Sequence, residues 1–434
     1  MLSNSAYYPA RPASILSFNY STVVAWVAIS LLVAETFGGA LRYYLDGIGA
    51  SGLLYVPKIA CLGLFAVELL RYRSSWVTWA ALLLLVLSSL LAMLHGAAPD
   101  NVMFGFFVFC PLLFGMVCCD HLLHRKRLFC WVMGLCLAAS LVGILLDKYT
   151  TVPWKGYSYM LNGQQLSANT SWMADEADRL AGFARVSNAL SIIIAISSLY
   201  LVMFMRSRFL VLLVAAASLV GIIMTTSKAP AVAYLCTVGL MMVMSSRITS
   251  RTFIVVAVLV GLALPVISLL HSFDPSVVTS TSSLSSLYDR LVNTWPNVFK
   301  AVTGEGWSWL GTGFGMFGSS VALFPVNGPQ YLIGADSSAL YLWATFGVLG
   351  VLLYALQIPM FFSLSRYPDA TSRALLAITF CCCLISWTTD MFEVAISNLF
   401  MGLAIGRAMS GKILGDPPPA MTADDLPEPR VRIN

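Results

Sequence analysis

The sequence predicts an all-α polytopic integral membrane protein of about 12 transmembrane helices, and three observations carry that reading. The 434 residues are 59% hydrophobic and only 10% charged, and mean hydropathy is +0.82. Soluble domains carry about 25% charged residues, so this chain cannot coat a water-facing surface; a soluble enzyme and a nucleic-acid binder are both excluded. Apolar runs long enough to span, about 20 residues each, recur along the whole chain. Finally, basic residues gather in tight turns between these runs, as the positive-inside rule requires of a multi-pass protein.

Taken in order, the runs lie near 21–38, 51–70, 75–94, 101–119, 128–146, 183–205, 209–225, 228–245, 252–270, 338–362, 374–389 and 391–409. The first follows a short polar N-terminus without a small-residue cleavage site, so it reads as a retained helix, not a signal peptide. Arg71/Arg73, Arg125-Lys126-Arg127, Arg206/Arg208, Arg247/Arg251, Arg366/Arg373, Arg407, Lys412, Arg430 and Arg432 fall on one side, which with Arg11 makes 16 of the 25 basic residues. That side is cytoplasmic by the same rule, and with it both termini. Two long loops, 147–182 and 271–337, then face outward. Residues 1–410 form a single transmembrane domain. The tail 411–434, with Pro417-Pro418-Pro419, Pro427 and Pro429, reads as a disordered cytoplasmic end.

None of the ten cysteines falls in either long loop, so no disulfide framework is expected there. Cys381-Cys382-Cys383 cannot converge on one ion from adjacent helical positions about 100° apart; they read as packing residues. No His/Cys/Asp spacing calls for a metal. Glu35 and Lys58 are placed to pair between the first two spans, and Glu68 to pair locally with Arg71.

Ionisable residues near the outer edge of the membrane mark candidate function. Arg179 and Arg185 bracket Gly182 at the start of the sixth span, and a fully helical segment would turn them to different faces. Ser227 and Lys228 sit in Thr225-Thr226-Ser227-Lys228, a hydroxyl-rich turn at a helix N-terminus suited to an anion. In the second loop Leu284, Tyr288, Leu291, Trp295, Val298 and Val302 recur at helical spacing, which predicts an amphipathic helix on the outer face. Pro296 is expected to divide that helix, with Arg290 at the edge of its apolar stripe. Gly311 and Gly313, in Gly311-Thr-Gly313-Phe-Gly315, would let amides approach a ligand or let the loop pack closely on a helix. Asp336 and Ser337 precede the tenth span, with Asp336 either a proton acceptor or the helix cap. Asp390 and Glu393 stand at the turn between the last two spans.

The order of these elements resembles the bacterial O-antigen polymerase/ligase superfamily: the Wzy-type polymerases and their ligase relatives. The resemblance rests on Arg179/Gly182, Ser227-Lys228, Arg290 with Gly311/Gly313, and Asp336-Ser337 ahead of Gly347/Gly350, across roughly residues 175–360. It implies an architecture of the class C glycosyltransferase type in a bacterial inner membrane, with periplasmic loops. The implied activity is polymerisation of undecaprenyl-diphosphate-linked oligosaccharide repeat units into a surface or secreted polysaccharide, of xanthan type for instance. The diphosphate supplies the energy, so no cofactor is expected. Partners would be membrane lipids and the chain-length regulator and flippase of the same pathway. On this reading Asp336, Arg290 and Arg179 are catalytic, while Lys228, Arg185, Ser227, Gly311, Gly313 and Ser337 bind substrate. Asp336 stands where ligases of the family place a His, which favours polymerase over ligase. A transporter of lipid-linked sugars and a scaffolding subunit of an export complex are the other classes, but no internal repeat of the transporter kind is visible and a scaffold would not need an Arg/Lys/Asp set gathered on one side.

Overall fold

The structure, a computed structural model, describes residues 20–71, 76–161, 163–170, 173–174, 177–244, 246–278, 284–326 and 332–410. The cytoplasmic-tail reading for 411–434 and Arg11 lie outside them. The chain is almost wholly helical, as its apolar periodicity requires. Helix α1 (Tyr20–Thr36) meets α2 (Gly38–Gly47) at 89°, so the first apolar run turns sideways instead of ending. The chain continues through α3 (Val56–Arg71), α4 (Trp76–Leu94), α5 (Pro99–Val117), α6 (Cys119–Leu123) and α7 (Lys126–Tyr149). The first long loop holds two small antiparallel hairpins. In one, β1 (Ser158–Leu161) pairs with β2 (Gln164–Ser167), Ser158 opposite Ser167; in the other, β3 (Met173–Ala174) pairs with β4 (Ala177–Asp178).

Helices α8 (Ser187–Phe204), α9 (Arg208–Met224), α10 (Lys228–Val243) and α11 (Arg247–Leu270) follow. The second long loop carries α12 (Ser285–Asp289), α13 (Trp295–Gly304) and α14 (Ser319–Leu323). The chain closes with α15 (Ser338–Phe346), α16 (Val348–Ala355), α17 (Gln357–Ser365), α18 (Ala370–Ile385) and α19 (Ala395–Ser410).

Seven of these segments are long and apolar enough to cross a membrane, eight if the bent α1–α2 pair is one span. This is a multi-pass membrane protein. The count falls short of twelve because α9, α10 and α18 are apolar but only 16–17 residues long, and α19, in the last expected span, also has only 16. At 1.5 Å per residue they reach about 24–26 Å, against roughly 30 Å of hydrocarbon. Helices α8 and α18 are apolar on every side and almost entirely buried, as befits the centre of a bundle. Cys381, Cys382 and Cys383 belong to that buried centre. Small residues let α5 and α19 touch: a Cβ on Gly402 would stand 2.1 Å from the Leu112 carbonyl oxygen, the close backbone approach that membrane helices use.

Two ends of the bundle differ in character. The loop face carries both long loops and α2, with the 386–394 turn recessed below it; the turn face carries the short basic turns. Glu35 and Lys58 pair at 3.4 Å, as expected from their positions. Glu68, expected to pair locally with Arg71, whose side chain lies outside the described ones, is buried with His121 Nε2 3.4 Å from its carboxylate.

The expected single span 338–362 is broken. Gly347 has φ +60, and a Cβ there would lie 2.0 Å from the Trp309 carbonyl oxygen. The left-handed turn folds α15 back on α16, where Gly350 packs against the Leu342 carbonyl. Helix α15 is therefore a half-helix whose start is sunk into the bundle. The Ser338 N–H donates to the Ser386 carbonyl, and Ser386 Oγ lies 2.9 Å from Tyr354 Oη on α16. Next to Ser386, Trp387 Nε1 donates to the Ala257 carbonyl of α11, about 20 Å of helix rise below Leu270 at the loop face.

Candidate functional site

At the sunken start of α15 the chain runs Gly334-Ala335-Asp336-Ser337-Ser338. Asp336 has φ +49, the left-handed region that Asp tolerates better than most residues. That turn points three successive N–H groups at one carboxylate. Ala335 and Asp336 donate to Asp390 Oδ2 at 2.8 and 3.1 Å, and Ser337 donates to Oδ1 at 3.0 Å. Such a run of amides forms a concave anion nest, here filled by Asp390 from the α18–α19 turn. The turn is pinned further: Ser338 Oγ donates to the Thr389 carbonyl and accepts from the Met391 N–H. Burial pushes the Asp390 carboxyl up to about 7; repulsion from Asp336 adds to it, while the N–H donors pull the other way.

The Asp336 side chain is not a helix cap. Ser337 occupies the cap position of α15 and makes no side-chain cap bond. The Asp336 carboxylate, half-exposed, instead faces Arg290, with Nε to Oδ2 3.2 Å. Arg290 also donates from Nη1 to the carbonyl and hydroxyl of Ser286. This arginine sits on one turn of π-helix, Arg290–Thr294, that joins α12 to α13. Pro296 lacks an N–H, so it does not split the amphipathic helix as expected but is accommodated by widening one turn. Such π-turns recur at functional sites. Leu291, Trp295, Val298 and Val302 are buried beneath, as their spacing predicted, whereas Leu284 is exposed.

A second carboxylate, Glu393, is held nearby. It accepts from the Ser319 N–H and hydroxyl and from Tyr341 Oη. Three acidic groups, Asp336, Asp390 and Glu393, thus surround the start of α15, and Arg290 pairs with the most exposed of them.

The first loop reaches the same place by another route. Residues 179–186 are not helical, so the expectation that Arg179 and Arg185 point apart on one helix does not apply. Asp147 at the end of α7 accepts the N–H groups of Ala181 and Gly182 and pairs with Lys155 at 3.0 Å. Trp154 Nε1 donates to the Gly182 carbonyl, Asn169 to the Ala184 carbonyl, and two amides of α2 to the Phe183 carbonyl. This clamp fixes the start of α8, where Asn188 Nδ2 reaches Thr389 Oγ1 at 3.5 Å, one residue from Asp390. Arg179 is half-buried at the head of the clamp. Arg185 is exposed, and its Nε donates to the Ser167 carbonyl of the β1–β2 hairpin.

Lys228 is the exposed first residue of α10, and the Ser227 hydroxyl before it is buried without a hydrogen-bond partner among the described residues. The Ser337 hydroxyl is in the same condition. Gly311 and Gly313, expected either at a ligand or in close packing on a helix, are both tightly packed. The Gly311, Thr312 and Gly313 amides donate to the Trp307, Ala344 and Thr345 carbonyls. A Cβ on Gly313 would lie 2.4 Å from the Ala92 amide nitrogen. The Thr312 and Gly313 amides thus hold the loop to α15, the Gly311 amide closes a turn within the loop, and the Phe314 N–H ties the segment to the Ser88 carbonyl of α4.

Sequence reasoning isolates Arg290 and Asp336 but not their contact, and it does not see Asn188 or Thr389 at all. Asp390 shows in the sequence only as an acid at a turn. Its role as the filling of a nest depends on the backbone at 335–337, which no residue pattern announces.

No protein-family model matches the chain, and no curated protein matches it.

Proposed function

We propose that this chain is a membrane glycosyltransferase that joins polyprenyl-diphosphate-linked oligosaccharide units at its loop face, as a polysaccharide polymerase. The observation that carries the reading is the Arg290–Asp336 pair, 3.2 Å apart, seated over the sunken start of α15. A fixed guanidinium is the group that a diphosphate recognises, and a carboxylate beside it is the group that an attacking hydroxyl needs.

In the resting site each partner neutralises the other. A donor diphosphate competes for Arg290 and frees Asp336 to act as base. The acceptor hydroxyl oxygen then bonds to the anomeric carbon of the growing glycan. The bond from that carbon to the diphosphate breaks, and its electron pair leaves with the polyprenyl diphosphate. The hydroxyl proton passes to Asp336. Arg290 stabilises the departing charge, with Arg179 and Lys228 as further cations and the Ser227 and Ser337 hydroxyls as donors to phosphate or sugar oxygens.

In this reading the short apolar helices α9, α10, α18 and α19 also span, giving twelve crossings in a bacterial inner membrane with both termini cytoplasmic and the loop face periplasmic. The chain would work beside the flippase and chain-length regulator of its pathway.

The test is the purified full chain in nanodiscs, supplied with polyprenyl-diphosphate-linked repeat units. A ladder of glycan lengths supports the polymerase. One transfer to a lipid-A core and no ladder replaces it with a ligase, and absence of any transfer by a folded protein refutes both.

A further inference from the structure

A second feature lies at the opposite, turn face of the bundle and takes no part in the site above. A groove of about 350 Å³ opens there between the start of α7 and the end of α8, lined by Lys126, Arg127, Cys130, Trp131 and Phe204. Arg206 and Arg208, two and four residues after Phe204, are exposed. Among the described residues no carboxylate stands within ion-pair distance of Lys126, Arg127, Arg206 or Arg208. Two cations therefore line the groove and two more follow its Phe204 wall in the chain, with no ion-paired carboxylate for any of the four among the described residues.

The groove does not end in water alone. On α7, Arg127 is followed at helical spacing by Trp131, Leu135, Val142 and Leu145, all exposed. These residues make an apolar track that runs from the basic mouth along the outside of the bundle. Trp131 is 74% exposed, and an indole at that height is amphipathic enough to sit at the headgroup level. A cationic mouth, an aromatic lip and an apolar track together match a molecule that carries a phosphate at one end and acyl chain at the other.

We propose that this groove is a binding site for one anionic phospholipid, its phosphate between Lys126, Arg127 and the Arg206/Arg208 turn and an acyl chain along Trp131, Leu135 and Val142. Basic pockets between membrane helices are known to hold such headgroups. Free phosphate shares the headgroup chemistry but has nothing to lay on the track. A zwitterionic lipid has the chain but carries its own cation into a patch that is already positive.

The experiment is native mass spectrometry of the full chain released from nanodiscs of equimolar phosphatidylcholine and phosphatidylglycerol. Wild type should retain phosphatidylglycerol in preference to phosphatidylcholine, and added inorganic phosphate should not displace it. Lys126→Gln with Arg127→Gln should weaken retention about thirtyfold, two cations each worth about fivefold at a membrane surface. Trp131→Leu should weaken it less. Arg247→Gln, on the same face but outside the groove, should retain lipid as wild type does. Should the double variant express poorly, Arg127→Gln alone, at an exposed side chain, reads the same effect at about fivefold. Unchanged retention in these variants, equal retention of the two lipids, or displacement by inorganic phosphate overturns the proposal.

Discussion

Replacing Asp390 by Asn tests whether the filled nest holds the site in working shape. The carboxylate accepts two N–H groups on Oδ2 and one on Oδ1. Asn has a single acceptor oxygen. Placed on the two amides of Ala335 and Asp336, it turns its NH₂ group toward the Ser337 N–H, donor against donor. One charge-assisted bond is lost, worth about 1.5–3 kcal/mol, and the stranded amide adds a cost of similar size when buried. A hydrogen-bonding loss of about 3 kcal/mol, before the burial cost of the charge is set against it, would fall on the left-handed turn at Asp336, and so on the contact with Arg290. That corresponds to about a hundredfold lower turnover.

The effect should depend on pH. With the Asp390 carboxyl pushed up to about 7, wild type is mostly protonated at pH 6, where the acid resembles the amide and the two proteins should converge. At pH 8 the carboxylate is ionised and the gap should be widest. Burial acts on stability in the opposite sense. The folded chain holds a proton that the unfolded chain gives up near its ordinary value of 3.8. Asp390 therefore costs stability progressively from about pH 4 to pH 7, and the cost is constant above. The Asn variant should lack that slope in thermal unfolding. Polymerisation rates of both proteins across pH 6–8, with unfolding measured alongside, make the assay. A folded Asn variant with wild-type turnover at pH 8 would refute the reasoning.

Three further outcomes follow from the same structure. Asp336→Asn keeps a residue that tolerates the left-handed turn but removes the proton-accepting charge, so glycan synthesis should drop by about 10²–10⁴-fold with normal membrane abundance; near-normal polymer would move the base to another group. Arg290→Ala should abolish the ladder while Arg290→Lys restores only part of it, because an ammonium lacks the planar fork; loss of the protein from the membrane would mark a structural role instead. Gly313→Ala should fail by misfolding rather than by catalysis, since its Cβ would stand 2.4 Å from the Ala92 backbone at φ +98; a drop in thermal stability and yield checks this, and an abundant, inactive protein would return Gly313 to the ligand site.

The membrane character and the helical fold were settled by composition and by the length of the apolar runs, because burial in hydrocarbon acts on each segment separately and leaves backbone polar groups no partner but their own helix. The amphipathic stripe of Leu291, Trp295, Val298 and Val302 was legible for the same reason: its period is local. The breaks were not. Gly347 ends α15 because the Trp309 carbonyl, far away in the chain, leaves room for no Cβ, and the 89° bend after Thr36 follows no residue pattern. At the site, residue type marked Arg290 and Asp336, since charges are costly beside a membrane and few survive there. Their pairing, the nest around Asp390 and the reach of Asn188 to Thr389 join segments separated by long stretches of chain. Gly311 and Gly313 show the limit most plainly: a Gly-x-Gly segment serves a ligand or a neighbouring helix equally well. Only the positions of the Ala92 and Thr345 backbones, fixed by packing, show how closely it lies against two helices.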